Sequence, residues 1–151
     1  NFIIGHTYET YQTALDTIQF AQSLPTNFVN FYNLIPYPGT EAYQWAKEHG
    51  KFLIPTEDYL ESRATYHEEP IFETSEFTKE QRKQIMKIGF GLYKLKYLQF
   101  RYGKILGGLL FHVTKIKPLD KFATYFILDT WIGKVIYALS CRVFSSSRPQ
   151  R

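Results

Sequence analysis

Few side chains in this sequence could carry chemistry, and they are scattered. His6 and Glu9 stand close to Thr7 and Thr10, and Tyr66-His67-Glu68-Glu69 places three metal-capable groups side by side. A general base needs a partner that orients it, and no carboxylate–histidine pair of obvious spacing accompanies His6, so a turn role explains it better. Neighbours such as His67, Glu68 and Glu69 rarely share a face, and a solvated loop accounts for them. His49 falls at the end of a helical pattern, where the dipole favours a cation. His112 lies in the apolar run ILGGLLFHV and reads as a packing histidine. Cys141 is the sole cysteine, which excludes a disulfide framework and a metal site built only from thiolates of this chain. A reducing compartment fits that usage. No GxGxxG, P-loop, HExxH or CxxC pattern occurs. The chain therefore presents no complete active site, and no catalytic residue or metal ligand is assigned.

The elements that would position a site are clearer than the site. Phe2-Ile3-Ile4-Gly5 is apolar without alternation, the pattern of a short buried strand. Thr7 or Thr10 can cap a helix in which Tyr11, Ala14, Leu15, Ile18 and Ala21 recur at helical spacing. Asn27 to Ile35 reads as a second strand, rich in β-branched and aromatic residues. Then comes PYPGT: Pro36 removes a ladder donor, Pro38 fixes φ, Gly39 is free to take any φ, and Thr40 caps a helix over residues 41–49. Gly50 sits where a left-handed residue would end that helix. Residues 51–78 look irregular apart from a short helix from Thr56 to Arg63. Thr78-Lys79-Glu80-Gln81 is a capping box opening a long helix to about Tyr102. Gly103, Gly107 and Gly108 interrupt the pattern, and a last helix is expected from Leu119 or Asp120 to Phe144. Strand, helix, strand, helix with short connections is an α/β unit with parallel strands. In such folds ligands bind on the turns after the strands, here Gly5 to Thr10 and Pro36 to Thr40.

Charge is split along the chain. Residues 1–78 carry 3 basic and 11 acidic side chains and residues 79–151 carry 15 and 3, so net charges of −8 and +12 underlie the overall +4. Aromatics reach 18%, and in LYKLKYLQFRYGK they interleave with the basic residues. That mixture suits packing with lysines reaching outward, then a membrane surface, and nucleic acid only distantly. Residues 122–144 are long enough to span a bilayer, but Asp129, Lys134 and Arg142 make spanning costly. The opening NFIIG has no basic region before it and no signal-peptide core. A chain that starts within a buried strand reads as a piece of a longer polypeptide.

FIIG-HTYET, a helix, and FYNLIPYPGTEAYQWAKEHG together resemble the last third of the radical SAM catalytic domain, most closely in enzymes that also carry a cobalamin-binding domain. Ile35-Pro36-Tyr37-Pro38-Gly39-Thr40-Glu41 is similar to that family's sixth-strand turn. Phe2-Ile3-Ile4-Gly5 with Glu9-Thr10 is similar to its fifth, although His6-Thr7-Tyr8 replaces the usual Leu-Pro-Gly. PIFETSEFTKEQRKQIMKIGFGLYKLKYL looks like the family's tail, and the likeness covers about residues 1–100.

The resemblance implies the last two strand–helix units of a partial (β/α)6 TIM-like barrel, followed by a mostly helical C-terminal extension. The implied organisation is 1–55 as barrel, 56–78 as an irregular acidic linker and 79–151 as the basic, aromatic-rich extension. It implies S-adenosylmethionine and a [4Fe–4S] cluster whose CxxxCxxC ligands lie outside this chain, with cobalamin also outside it in the cobalamin-carrying branch. Ile3, Gly5, Leu34, Ile35 and Pro36 would touch the cofactor through backbone and apolar contacts, while Glu9, Tyr37, Pro38, Gly39 and Thr40 would shape the substrate mouth. The implied partner is the missing N-terminal part of the same protein, with an unspecified substrate; the expected location is cytoplasmic, with room for peripheral membrane contact through residues 79–151. The chain alone is expected to be inactive. A competing expectation is a non-enzymatic membrane-surface or interaction module working through residues 79–151.

Overall fold

A computed structural model describes residues 1–61 and 69–116. They fall into two compact units, Asn1–Pro25 with Val29–Leu92, and Thr26–Phe28 with residues 93–116. His67, Glu68, Cys141 and the helix expected from residue 119 or 120 lie outside the described residues.

In the first unit β1 (Phe2–Ile4), α1 (Tyr11–Ser23) and β2 (Phe31–Asn33) follow the expected order. The strands pair in parallel, Phe2 opposite Phe31, Ile3 opposite Tyr32 and Ile4 opposite Asn33. The ladder is shorter than the apolar run 27–35 because β1 offers so few partners; it ends with the Leu34 N–H donating to the Ile4 carbonyl at 2.8 Å. Thr10 caps α1 reciprocally with Thr13. The helix buries Ala14, Ile18 and Ala21 on one stripe. These meet Ile4 and Phe31 from the strands, Val29 just before β2, and Phe77, Ile85, Met86 and Leu92 from the later segment in one core. Alternation along the strands turns Ile3 and Tyr32 to the opposite face, where Ile3 is 55% exposed.

After PYPGT, Thr40 caps α2 (Glu41–His49) as expected. Gly50 is not left-handed: its φ of −128° is extended, and it opens β3 (Gly50–Phe52). Its small size matters for another reason. A Cβ there would come within 2.7 Å of the Glu73 carbonyl and 2.9 Å of that of Ala46. Residues 51–78 are correspondingly less irregular than expected. They hold α3 (Thr56–Glu61) and β4 (Phe72–Thr74), which pairs antiparallel with β3. Each strand is only three residues long, and the pairing is long-range, so periodicity alone misses it.

Thr78 and Gln81 form the anticipated capping box, the Gln81 side chain accepting from the Thr78 N–H at 2.9 Å. It opens α4 (Lys79–Tyr102), which carries the chain from the first unit into the second. Gly103 breaks the helix at φ +85°. Gly107 and Gly108 do not interrupt; they lie inside α5 (Lys104–Val113). In the second unit Leu98 and Tyr102 are buried against Tyr97, Leu110 and Phe111. Gly107 is required there, because a Cβ would meet the Gln99 backbone at 2.5 Å. His112 is exposed on α5 rather than packed, its ring edge-on to Phe111.

Candidate functional site

Because β1 and β2 run parallel, the turns that follow them, Gly5 to Thr10 and Pro36 to Thr40, emerge at the same end of the sheet. They share an open cleft of about 480 Å³ lined by Thr7, Tyr8, Gly39, Thr40, Trp45 and His49 together with Glu41, Gln44 and Glu48. Of the residues expected to form a site, Gly39 and Thr40 reach this cleft directly. Ile3 lies on the exposed sheet face, and Tyr37 and Pro38 are exposed. Leu34 and Ile35 are half-buried, and Pro36 is buried.

The PYPGT turn is held from within and from below. The Tyr37 carbonyl accepts from the Thr40 hydroxyl at 2.7 Å and from the Thr40 N–H at 3.1 Å, while Gly39 takes φ +87°. The buried Tyr59 hydroxyl donates to the Pro36 carbonyl at 2.6 Å. That bond satisfies a buried carbonyl beyond the end of the β1–β2 ladder.

The first turn is built around Glu9. Its carboxylate accepts from the backbone N–H of Gly5 and, at 3.3 Å, from that of His6. Gly5 sits at φ +94° and Tyr8 at +62°, both left-handed. The His6 ring pairs with the Thr7 hydroxyl at 3.0 Å, a local turn contact. Burial raises the Glu9 carboxyl above its ordinary value, against the lowering pull of the two amides and of Arg82. Tyr8 is 78% exposed, with its ring edge-on to Trp45 at 5.4 Å; Trp45 in turn stacks on His49 at 5.2 Å.

Arg82 completes the turn, and sequence reasoning missed it. It is 1% exposed. Its guanidinium lies 4.2 Å from the centroid of Phe72 and 5.0 Å from that of Phe77, and its Nε donates to the Phe77 carbonyl at 3.3 Å. Burial lowers its pKa to about 10, while Glu9 and Glu73 oppose that shift. A signal was present: Arg82, Ile85, Met86 and Gly89 fall on one helical face, so Arg82 interrupts a stripe destined for the core.

This arrangement offers an open cleft with exposed rings and the Glu41 and Glu48 carboxylates at a strand-end rim, which suits binding. Among the described residues no group of three His, Cys, Asp or Glu could hold a metal ion, and none of their helices is long and apolar enough to cross a membrane.

No family model matches the sequence, and no solved structure matches it. Over 96 residues it is 27% identical to an uncharacterised methyltransferase of Pyrococcus horikoshii, a stretch covering 64% of this chain. The chain spans about a fifth of the length of that curated relative, 20% by the aligned region.

Proposed function

We propose that this chain is the C-terminal part of a radical SAM enzyme, supplying the last two strand–helix units of its barrel and the helices after them. The observation that carries this reading is the parallel β1–α1–β2 unit, whose two turns open onto one cleft. The exposed sheet face of Ile3 and Tyr32 supports it, since parallel strands are normally covered on both faces. The similarity to a much longer methyltransferase points to an enzyme with more chain around this piece.

The described residues fit one of the two groups implied. Ile3 on an exposed strand face and Gly39, with nothing within 4 Å of a would-be Cβ, leave room for a nucleoside to approach the backbone. They supply no ligand set for a [4Fe–4S] cluster, whose cysteines belong to the rest of the protein in this reading. When bound, cluster and S-adenosylmethionine would supply a 5′-deoxyadenosyl radical. The part of this chain is to hold the rim that binds the adenosine side, and cobalamin, where the parent carries it, binds elsewhere.

The test is anaerobic reconstitution of the intact protein with iron and sulfide, followed by assay for reductive cleavage of S-adenosylmethionine. Cleavage by the intact protein and none by residues 1–151 is the expected outcome. Cleavage by residues 1–151 alone, or none by the intact protein, would sink the reading.

A second reading is favoured by the second unit. Ile105 is 84% exposed and Leu109 61% exposed on α5, which Lys104 opens and Lys115 follows in sequence. Exposed apolar side chains flanked by lysines suit an anionic membrane surface. Salt-sensitive co-sedimentation of the protein with vesicles containing phosphatidylserine, lost on Ile105→Ser with Leu109→Ser, would favour it.

A further inference from the structure

Arg82 is the buried charged side chain of the described residues, and its Nη1 is buried without a hydrogen-bond partner. Leaving a guanidinium donor unmatched is costly, and an apolar residue of similar shape would serve core stability as well or better. Packing is therefore a poor account of it. The ring contacts and the Nε bond to Phe77 fix where the guanidinium stands, and that place is against the strand-end turn. A Cβ on residue 5 would lie 2.2 Å from Nη1 and 2.9 Å from Cζ. Only glycine fits beneath the guanidinium, and the same glycine takes the left-handed φ that aims its N–H at Glu9.

We infer that Arg82 is a positioning residue: from α4 it locks the Gly5–Glu9 turn into the single geometry that the binding rim uses. The lock has three parts in contact or in electrostatic reach. The guanidinium fills the space over Gly5. Glu9 gathers the Gly5 and His6 N–H groups, and the positive charge nearby favours the ionised carboxylate that accepts both. Glu73 balances the charge from the β4 side, and its carboxylate also accepts from the Lys79 N–H at 2.9 Å, tying down the start of the helix that carries Arg82. The helix following the strand–helix units thus reaches back and sets a turn more than seventy residues earlier in the chain.

As a statement about ligand binding this rests on the radical SAM reading, and the test separates the two. In the intact protein, Arg82→Met keeps the volume between Phe72 and Phe77 but removes the charge and the donors. Amide hydrogen exchange at residues 5–9 is expected to speed up by about tenfold, the scale of one charge-assisted contact, while the rest of the core exchanges as before. S-adenosylmethionine affinity is expected to fall by a similar factor, about tenfold, and Arg82→Lys should restore part of both. Unchanged turn exchange in a folded Arg82→Met protein overturns the lock. Should that variant fail to fold, the coupling decides: Gly5→Ala must perturb turn exchange more in the wild-type background than in Arg82→Lys, and equal effects overturn it. If the wild-type protein does not bind S-adenosylmethionine, the functional reading falls, and exchange alone still judges the lock.

Discussion

A glycine marks the tightest approach in each of the two units, and what occupies the space of its missing Cβ differs. At Gly5 the neighbour is a charged side-chain tip, the Arg82 guanidinium; at Gly107 it is backbone, the Cα and N of Gln99. The first unit uses its closest contact to place a polar group against a turn, and buries a charge to do so. The second uses its closest contact to bring two helices together, and leaves Ile105, Leu109 and Ile116 exposed. One unit packs a helix side chain against a turn; the other packs a helix against a helix. The same residue type faces a charged side chain in one place and backbone in the other, so substitutions at the two glycines measure how real the contrast is.

The largest effect is expected from Gly5→Ala. An L-residue held at φ +94° carries roughly 1–2 kcal/mol of left-handed strain. The clash adds an overpacking cost of about 1–3 kcal/mol. A guanidinium would normally swing aside cheaply, but this one is pinned between Phe72 and Phe77. The expected loss is about 3 kcal/mol, read as a lower denaturant midpoint at unchanged slope. A loss of only about 1–2 kcal/mol, the strain alone, would mean that the guanidinium moves freely, and the contrast with Gly107 would collapse.

In the second unit the comparison carries its own control. Gly107→Ala is expected to cost about 2 kcal/mol because the Gln99 backbone cannot step aside. Gly108→Ala, with nothing within 4 Å of its would-be Cβ, is expected to stabilise by about 0.5–1 kcal/mol through helix propensity. Opposite signs in thermal denaturation sharpen the picture of a close-packed hairpin; equal signs break it.

The PYPGT turn gives a smaller, purely polar effect. Tyr59→Phe removes the 2.6 Å bond to the Pro36 carbonyl and leaves a buried acceptor unmatched. A loss of about 1–2 kcal/mol is expected by chemical denaturation. An unchanged midpoint would show that the prolines alone hold the turn.

What the sequence disclosed followed the range of the interaction. Local chemistry was legible: the caps at Thr40 and Thr78, a cap at Thr7 or Thr10 that falls on Thr10, the bounds of α2, and the run of α4 to Tyr102 rest on neighbours within a turn. Parallel pairing of β1 with β2 followed from the helix between them. Long-range features were not legible. β3 and β4 pair across some twenty residues without a period to announce them. Gly50 looked like a helix terminator, while its role is set by the distant Glu73 carbonyl. Of the candidate site, Gly5, Glu9, Gly39 and Thr40 were named from turn chemistry, and the turns do come together. Arg82, Trp45 and Tyr59 were missed because a side chain's destination depends on tertiary packing, although an arginine within a core-facing stripe was a usable warning.

The least costly way to press on the first unit is pH. Burial holds the Glu9 carboxyl above its ordinary value of 4.5 in the folded protein, so the folded state binds that proton more readily than the unfolded chain. Stability from this group is then fully present below the unfolded value and is lost as pH rises through the folded one. The slope of unfolding free energy against pH should therefore carry a negative contribution just above pH 4.5. Glu9→Gln removes the titration and should flatten that part of the profile, while the same substitution at exposed Glu48 should leave it in place. In the Glu9→Gln protein the new amide oxygen still accepts from the Gly5 and His6 N–H groups, but weakly and without the attraction to Arg82. If the flattening comes with faster amide exchange at Gly5, the carboxylate holds the turn as a charge. If the profile flattens and exchange stays as it was, Glu9 acts only as a hydrogen-bond acceptor, and the guanidinium fixes the turn through the space it fills over Gly5.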